Sequence, residues 1–89
     1  MSVIAEQLDG LVRLLVSQPD AVAVAEQEGA DETRFELRVA DEDVGKVIGR
    51  RGQTIRALRL LLDLRGEVED RDFELELIED GAPVARATD

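Results

Sequence analysis

The amino-acid sequence predicts an α+β domain in which three helices lie on one face of a three-stranded mixed sheet, in the order α-β-β-α-α-β. Three observations lead there. The 89 residues give room for one small core and no second fold. Apolar residues recur at spacings of three and four in some segments and alternate in twos in others, so helical and strand periods are both present. The first two alternating segments lie close enough for an antiparallel hairpin. The third is reached only through helical sequence and therefore returns parallel to its neighbour.

In residues 3–17, Ile4, Leu8, Leu11, Val12, Leu15 and Val16 form an amphipathic stripe, and Pro19 with Asp20 ends that helix. A short strand follows at 21–26, with Val22 and Val24 alternating. Gly29 and Asp31 suit a hairpin connection over 27–32, and in the next segment Phe35, Leu37 and Val39 alternate with Arg34, Glu36 and Arg38. Asp41 can cap a two-turn helix that stops at Gly49, Glu42 and Asp43 suit its positive N-terminal end, and Val44, Val47 and Ile48 are its apolar side. A further helix runs from 53 to 63. The charged stretch 64–71 with its glycine reads as a loop, and Phe73, Leu75 and Leu77 mark the third strand. The domain is expected over 1–80, with 81–89 as a flexible tail.

Composition narrows the function. There is no cysteine and no histidine, which removes thiolate and imidazole metal sites and His-dependent hydrolysis, and no cofactor is implied. No stretch approaches the roughly 20 apolar residues of a membrane span, and no basic n-region precedes an apolar run, so a cytoplasmic chain with no membrane partner is expected. The acids are many, but none sits in a setting that would tune a catalytic carboxylate, so an enzyme is not expected. The net charge is −10, which by itself opposes nucleic acid. Five of the 11 basic residues, however, fall between Lys46 and Leu62 in a stretch without Asp or Glu, leaving −15 on the remainder. With screening over about 8 Å at physiological salt, such an island acts locally.

At the centre of the island is Gly49-Arg50-Arg51-Gly52, between two helical segments. A plain turn accounts for the glycines. The arginines ask for more, because guanidinium groups fork onto phosphate oxygens and a solvated tip has no need of two. The amides of Gln53 and Thr54 open a helix and suit an anion, while Val47, Ile48 and Ile55 supply an apolar flank on which bases can lie. The spacing matches neither a dinucleotide fingerprint nor a P-loop. With only two aromatic residues, Phe35 and Phe73, both directed at the expected core, recognition by aromatic stacking is disfavoured.

The stretch Val47-Ile48-Gly49-Arg50-Arg51-Gly52-Gln53-Thr54-Ile55 resembles the VIGxxGxxI signature of KH domains, whose GxxG loop clamps about four nucleotides. The element order looks like the type II arrangement. The opening helix, SQPDA and DVGKVIGRRGQTIRALR are similar to the bacterial single-KH-domain family called KhpA, formerly YlqC. The resemblance implies a cytoplasmic, non-enzymatic protein that binds single-stranded RNA as a chaperone or regulator and forms homodimers. It also implies pairing with KhpB, also called Jag or EloR, in control of cell elongation and division. Carried onto this sequence, the clamp is Gly49, Arg50, Arg51 and Gly52, with Ile48 and Ile55 flanking the groove and Lys46 adding charge. Arg56 and Arg59 stand behind the loop. The acidic segment 64–72 and the tail match no motif of the family.

On the helix that follows the loop, Ile55, Leu58 and Leu62 make one stripe and Ala57, Leu60, Leu61 and Leu64 a second. One stripe covers the sheet. The other packs on the first helix or on a second chain, and Ala57, Leu60, Leu61 and Leu64 are the candidates for a dimer interface. A protein-interaction module with weak or no RNA binding is the alternative function.

Overall fold

The computed structural model describes residues 2–84. Helix α1 (Val3–Leu15) begins where the Ser2 hydroxyl accepts the Ala5 N–H, an N-cap that satisfies one otherwise orphaned amide. It buries Ala5, Leu8 and Val12. Pro19 opens a 3-10 turn over Pro19–Ala21, so strand β1 (Ala23–Glu28) starts two residues later than the alternation alone suggests. Strand β2 (Glu32–Arg38) pairs antiparallel with β1, Val24 facing Leu37 and Glu26 facing Phe35. After a 3-10 turn over Asp41–Asp43 come the short helix α2 (Val44–Ile48), a second 3-10 turn over Arg50–Gly52, and the long helix α3 (Gln53–Glu69). Strand β3 (Asp72–Glu79) then runs parallel to β2, with Phe35 level with Leu75 and Leu37 with Leu77. Strand β2 therefore lies between β1 and β3.

The core is the meeting of the sheet's apolar side with one stripe from each helix: Phe35, Leu37, Leu75 and Leu77 against Leu8, Val12, Val44, Val47, Ile55, Leu58 and Leu62. Phe35 and Phe73 pack edge to face with ring centroids 5.7 Å apart, an arrangement worth about 0.5–1.5 kcal/mol beyond the area it buries. Arg34, Glu36 and Glu76 turn to the other side of the sheet, where Arg34 and Glu76 stand 3.9 Å apart.

Two boundaries differ from the sequence expectation. The sheet has four strands in the order β1-β2-β3-β4, because β4 (Ala82–Pro83) turns back on β3 and pairs Pro83 with Ile78. Asp80 and Gly81 make the two-residue turn, both at positive φ (55° and 79°), and Val84 is buried with its N–H donated to the Leu77 carbonyl. The domain therefore extends past residue 80, and the rest of the expected tail lies outside the described residues. The stretch 64–69, expected as loop, is instead the last part of α3. Gly66 lies buried against the Arg71 backbone, where a Cβ would overlap the Arg71 carbonyl oxygen, and the Gly66 carbonyl accepts the N–H groups of Asp70 and Arg71. Arg71 then ties this corner to the β1–β2 turn through the carbonyls of Gly29 and Ala30 and the Thr33 hydroxyl.

Candidate nucleic-acid interface

The double-glycine turn needs backbone angles that only its glycines adopt without cost. Gly49 has φ 77° and ψ 173°, and a Cβ there would overlap the Thr54 hydroxyl and come within 2.8 Å of the Thr54 nitrogen. Gly52 is left-handed at φ 73°, where a Cβ would meet only the movable guanidinium of Arg56. Between them Arg51 is itself left-handed, at φ 56°. The turn is held by Gly49 N–H to the Gly45 carbonyl at 2.9 Å and by Gly52 N–H to the Gly49 carbonyl at 3.1 Å. Both arginine side chains at its tip are exposed, and the ion pairs of the described residues involve neither.

What aims this turn is a buried carboxylate. Asp43, with no accessible surface, accepts the Ser17 N–H at 2.9 Å, the Ser17 hydroxyl at 2.8 Å and the Gln18 N–H at 3.0 Å. The α1–β1 connection is thereby fixed to the start of α2. Burial opposes ionisation, but the hydrogen bonds from the Ser17 backbone and hydroxyl, from Gln18 and from Lys46 outweigh it and lower the Asp43 pKa from 3.8 to about 2. On sequence alone Asp41 is the cap and Asp43 an acid favoured at the helix start. In the fold neither side chain makes a cap bond, and Asp43 has the larger role.

The remaining expected site residues divide into three groups. Lys46 lies beside the loop, half-exposed, with its ammonium 3.3 Å from Asp43, so part of its charge is matched within the protein. Arg56 reaches over Gly52, and Arg59 donates from Nε and Nη2 to the Leu75 carbonyl at 3.3 and 3.2 Å. The Gln53 N–H, expected as an anion donor, is committed to the Arg50 carbonyl, and Thr54 packs on Gly49. Ile48 and Ile55 were expected to flank the groove. Ile55 is 1% exposed and Ile48 8%, so both belong chiefly to the core. Farther along α3 a cleft of about 350 Å³ opens between α3 and β3, lined by Arg59, Asp63, Phe73, Glu74, Leu75 and Glu76. Its floor was invisible in sequence, because β4 pairs with β3 only at Ile78 and Glu79 and leaves the Leu75 carbonyl to a side chain from α3.

On α3 the two leucine stripes separate. Ile55, Leu58 and Leu62 are buried, whereas Leu60, Leu61 and Leu64 are 58%, 53% and 51% exposed and Ala57 is exposed as well. The second stripe is thus not covered by α1. Instead α1 and α3 border an apolar groove of about 490 Å³, with Leu11 and Leu14 on one side and Leu58 and Leu61 on the other. Among the described residues no helix is long and apolar enough to cross a membrane, and no group of three His, Cys, Asp or Glu is placed to hold a metal ion.

Two helices joined by an exposed Gly-Arg-Arg-Gly turn, packed on a mixed sheet with a parallel β2–β3 pair, define a KH domain. The model of the KhpA/KhpB KH domain matches residues 5–77, and the chain belongs to that family. Its relatives include the RNA-binding protein KhpA of Borreliella burgdorferi, 40% identical over 83% of this chain and 90% of the relative. The protein of the same name from Treponema pallidum is 42% identical over 78% and 86%, and that from Clostridium acetobutylicum 37% identical over 80% and 95%. No solved structure matches the chain.

Proposed function

We propose that this chain binds single-stranded RNA by clamping its backbone at Gly49, Arg50, Arg51 and Gly52. The observation that carries the reading is the left-handed double-glycine turn with two exposed arginines at its tip, aimed by the buried Asp43. The glycines admit a close backbone, and the arginines fork onto phosphates. The relatives named RNA-binding proteins support it. Lys46 and Arg56 add charge beside the clamp, and Arg59 already occupies the cleft's wall.

The test is a titration with short single-stranded RNA over a salt series. With three to five phosphates contacted, the log-log salt slope is expected at about −2 to −3.5, using roughly −0.7 per phosphate. Arg50→Asp with Arg51→Asp, at unchanged circular dichroism, should lose most of the affinity. Affinity equal to wild type would remove the clamp assignment.

A second reading, a protein-interaction module with little RNA binding, is favoured by the uncovered leucines of α3. We join the two: Ala57, Leu60, Leu61 and Leu64 make a homodimer while the glycine turn before α3 holds RNA. Pairing with a KhpB/Jag/EloR-type protein, a role as RNA chaperone or regulator in cell elongation and division, and a cytoplasmic location extend this reading on the strength of the family alone.

A further inference from the structure

Strand β1 lies at one end of the sheet, with no strand beyond it among the described residues. The hairpin fixes which of its backbone groups are left over. The Gly29 N–H donates to the Glu32 carbonyl at 2.7 Å, so these two form a hydrogen-bonded pair. Such pairs alternate along an antiparallel ladder, and the next are Gln27 with Arg34, Ala25 with Glu36 and Ala23 with Arg38. Val24, Glu26 and Glu28 therefore direct their N–H and C=O groups away from β2, off the free edge. The strand has no Lys or Pro and its register is unbroken, so two of the usual bars to pairing at an edge are missing. Side chains of the same three residues lie on the helix side of the sheet, where with Ser2 they line a hollow of about 400 Å³. There the Ser2 hydroxyl donates to Glu26 Oε1 at 2.5 Å, and the ion pairs of the described residues involve neither Glu26 nor Glu28. On the other face Ala23 and Ala25 are exposed and add no bulk.

Charge decides what fits this edge. A second copy paired edge to edge about Glu26 sets carboxylate against carboxylate, and the same acids repel RNA. A cationic strand meets no such opposition. We propose that the free edge of β1 takes an extended basic segment of a partner protein as an added antiparallel strand, with cationic side chains opposite Glu28 and Glu26 and an apolar one opposite Val24. Main-chain hydrogen bonds hold such a strand and its alternate side chains make it specific. Opposite residues in bonded pairs stand about 5.5 Å apart at Cα, within reach of a lysine ammonium for a facing carboxylate. Read from its own N-terminus, the segment is basic, any residue, basic, any residue, apolar. No residue of the clamp lies on β1, so the two surfaces are distinct.

The probe is the capped peptide Thr-Lys-Thr-Lys-Thr-Val-Thr, titrated at low salt into the nitrogen-15-labelled chain with backbone amide shifts as the readout. Saturable shifts centred on the amides of Val24, Glu26 and Glu28 are expected. N-methylation of the second lysine removes the N–H aimed at Glu26 and keeps the charge, and it should weaken binding at least about tenfold. Glu26→Gln with Glu28→Gln, which preserves size and an acceptor for Ser2, should weaken it about fivefold at low salt and less as salt rises. Shifts centred instead on Asp63, Glu67 and Asp70, with the methylated and parent peptides equal, mean attraction to net charge and overturn the added strand. A dimer that the peptide converts to monomer on sedimentation gives the edge to a second copy and overturns the partner assigned to it. A peptide that leaves every amide unmoved overturns the proposal outright, with the RNA reading unaffected.

Discussion

Asp43 sets where the clamp points. Helix α2 has five residues, far below the roughly 12 to 15 at which a helix holds itself in water, so tertiary anchors decide its orientation. Val44, Val47 and Ile48 supply the apolar anchor, and Asp43 the polar one, through bonds to Ser17 and Gln18. The arginines of the turn were legible in the sequence because their chemistry is local: two cations between two glycines. Asp43 was not, because its partners lie 26 and 25 residues away. The same holds for Arg59, whose carbonyl partner sits 16 residues on, in a different element. The pH dependence follows from the direction of the shift. The folded pKa of Asp43, about 2, lies below the ordinary 3.8, so its contribution to stability is complete above the ordinary value and is lost as pH falls through the folded one. Asp43→Asn should therefore melt well below wild type at neutral pH, with the gap closing in the acid range between those two values. Thermal unfolding followed by circular dichroism at a series of pH values measures it, and a gap that stays constant into acid would mean the carboxylate charge is not the source.

Helix α3 illustrates what an element conceals from its own sequence. Periodicity located its beginning and its two stripes, but spacing alone left open whether Leu60, Leu61 and Leu64 pack on α1 or stay exposed, as they do in the fold. Its end was masked, since Glu67 and Glu69 in the final turns oppose the helix dipole and Gly66 is a poor helix former. Packing overrides both, because only a glycine lets the helix pass against the Arg71 carbonyl. Strand β4 was missed differently. The Asp80-Gly81 pair is a strong two-residue hairpin signal, and Pro83 is tolerated because it lies on an edge strand, but two residues of pairing leave no alternation to detect. Gly66→Ala sets the two influences on α3 against each other. Helix propensity favours alanine by about 1 kcal/mol. Overpacking against a backbone atom costs about 1–3 kcal/mol. We expect a net loss, read as a lower urea midpoint at unchanged slope, and a higher midpoint would show that the contact with Arg71 yields easily.

Across the whole molecule, charge is sorted rather than balanced. The clamp end of α3 carries Lys46, Arg50, Arg51, Arg56 and Arg59, and the far end opens on a hollow of about 680 Å³ lined by Asp31, Asp63, Glu67, Asp70 and Asp72 around Arg71. On the sheet the acids crowd enough that the hydrogen bond the protonated Glu74 donates to Glu32, together with the charge of Glu32, pushes the Glu74 pKa up. A polyanion approaching such a surface is attracted at one end and repelled elsewhere, so the net charge of −10 becomes a means of confining RNA to one groove. The combination Glu67→Gln, Asp70→Asn and Asp72→Asn tests this without touching the clamp. Asn suits the left-handed backbone of Asp70, at φ 55°, so the fold is expected to tolerate it. Duplex DNA, which a single-strand clamp does not read, should bind the neutralised chain about tenfold better at low salt, with the difference vanishing as salt rises. Binding of short single-stranded RNA should change far less, since the acids lie at the opposite end of a 17-residue helix, about 25 Å away at 1.5 Å per residue. If both nucleic acids gain equally, the acidic end acts through the overall charge and not by excluding RNA from its own surface.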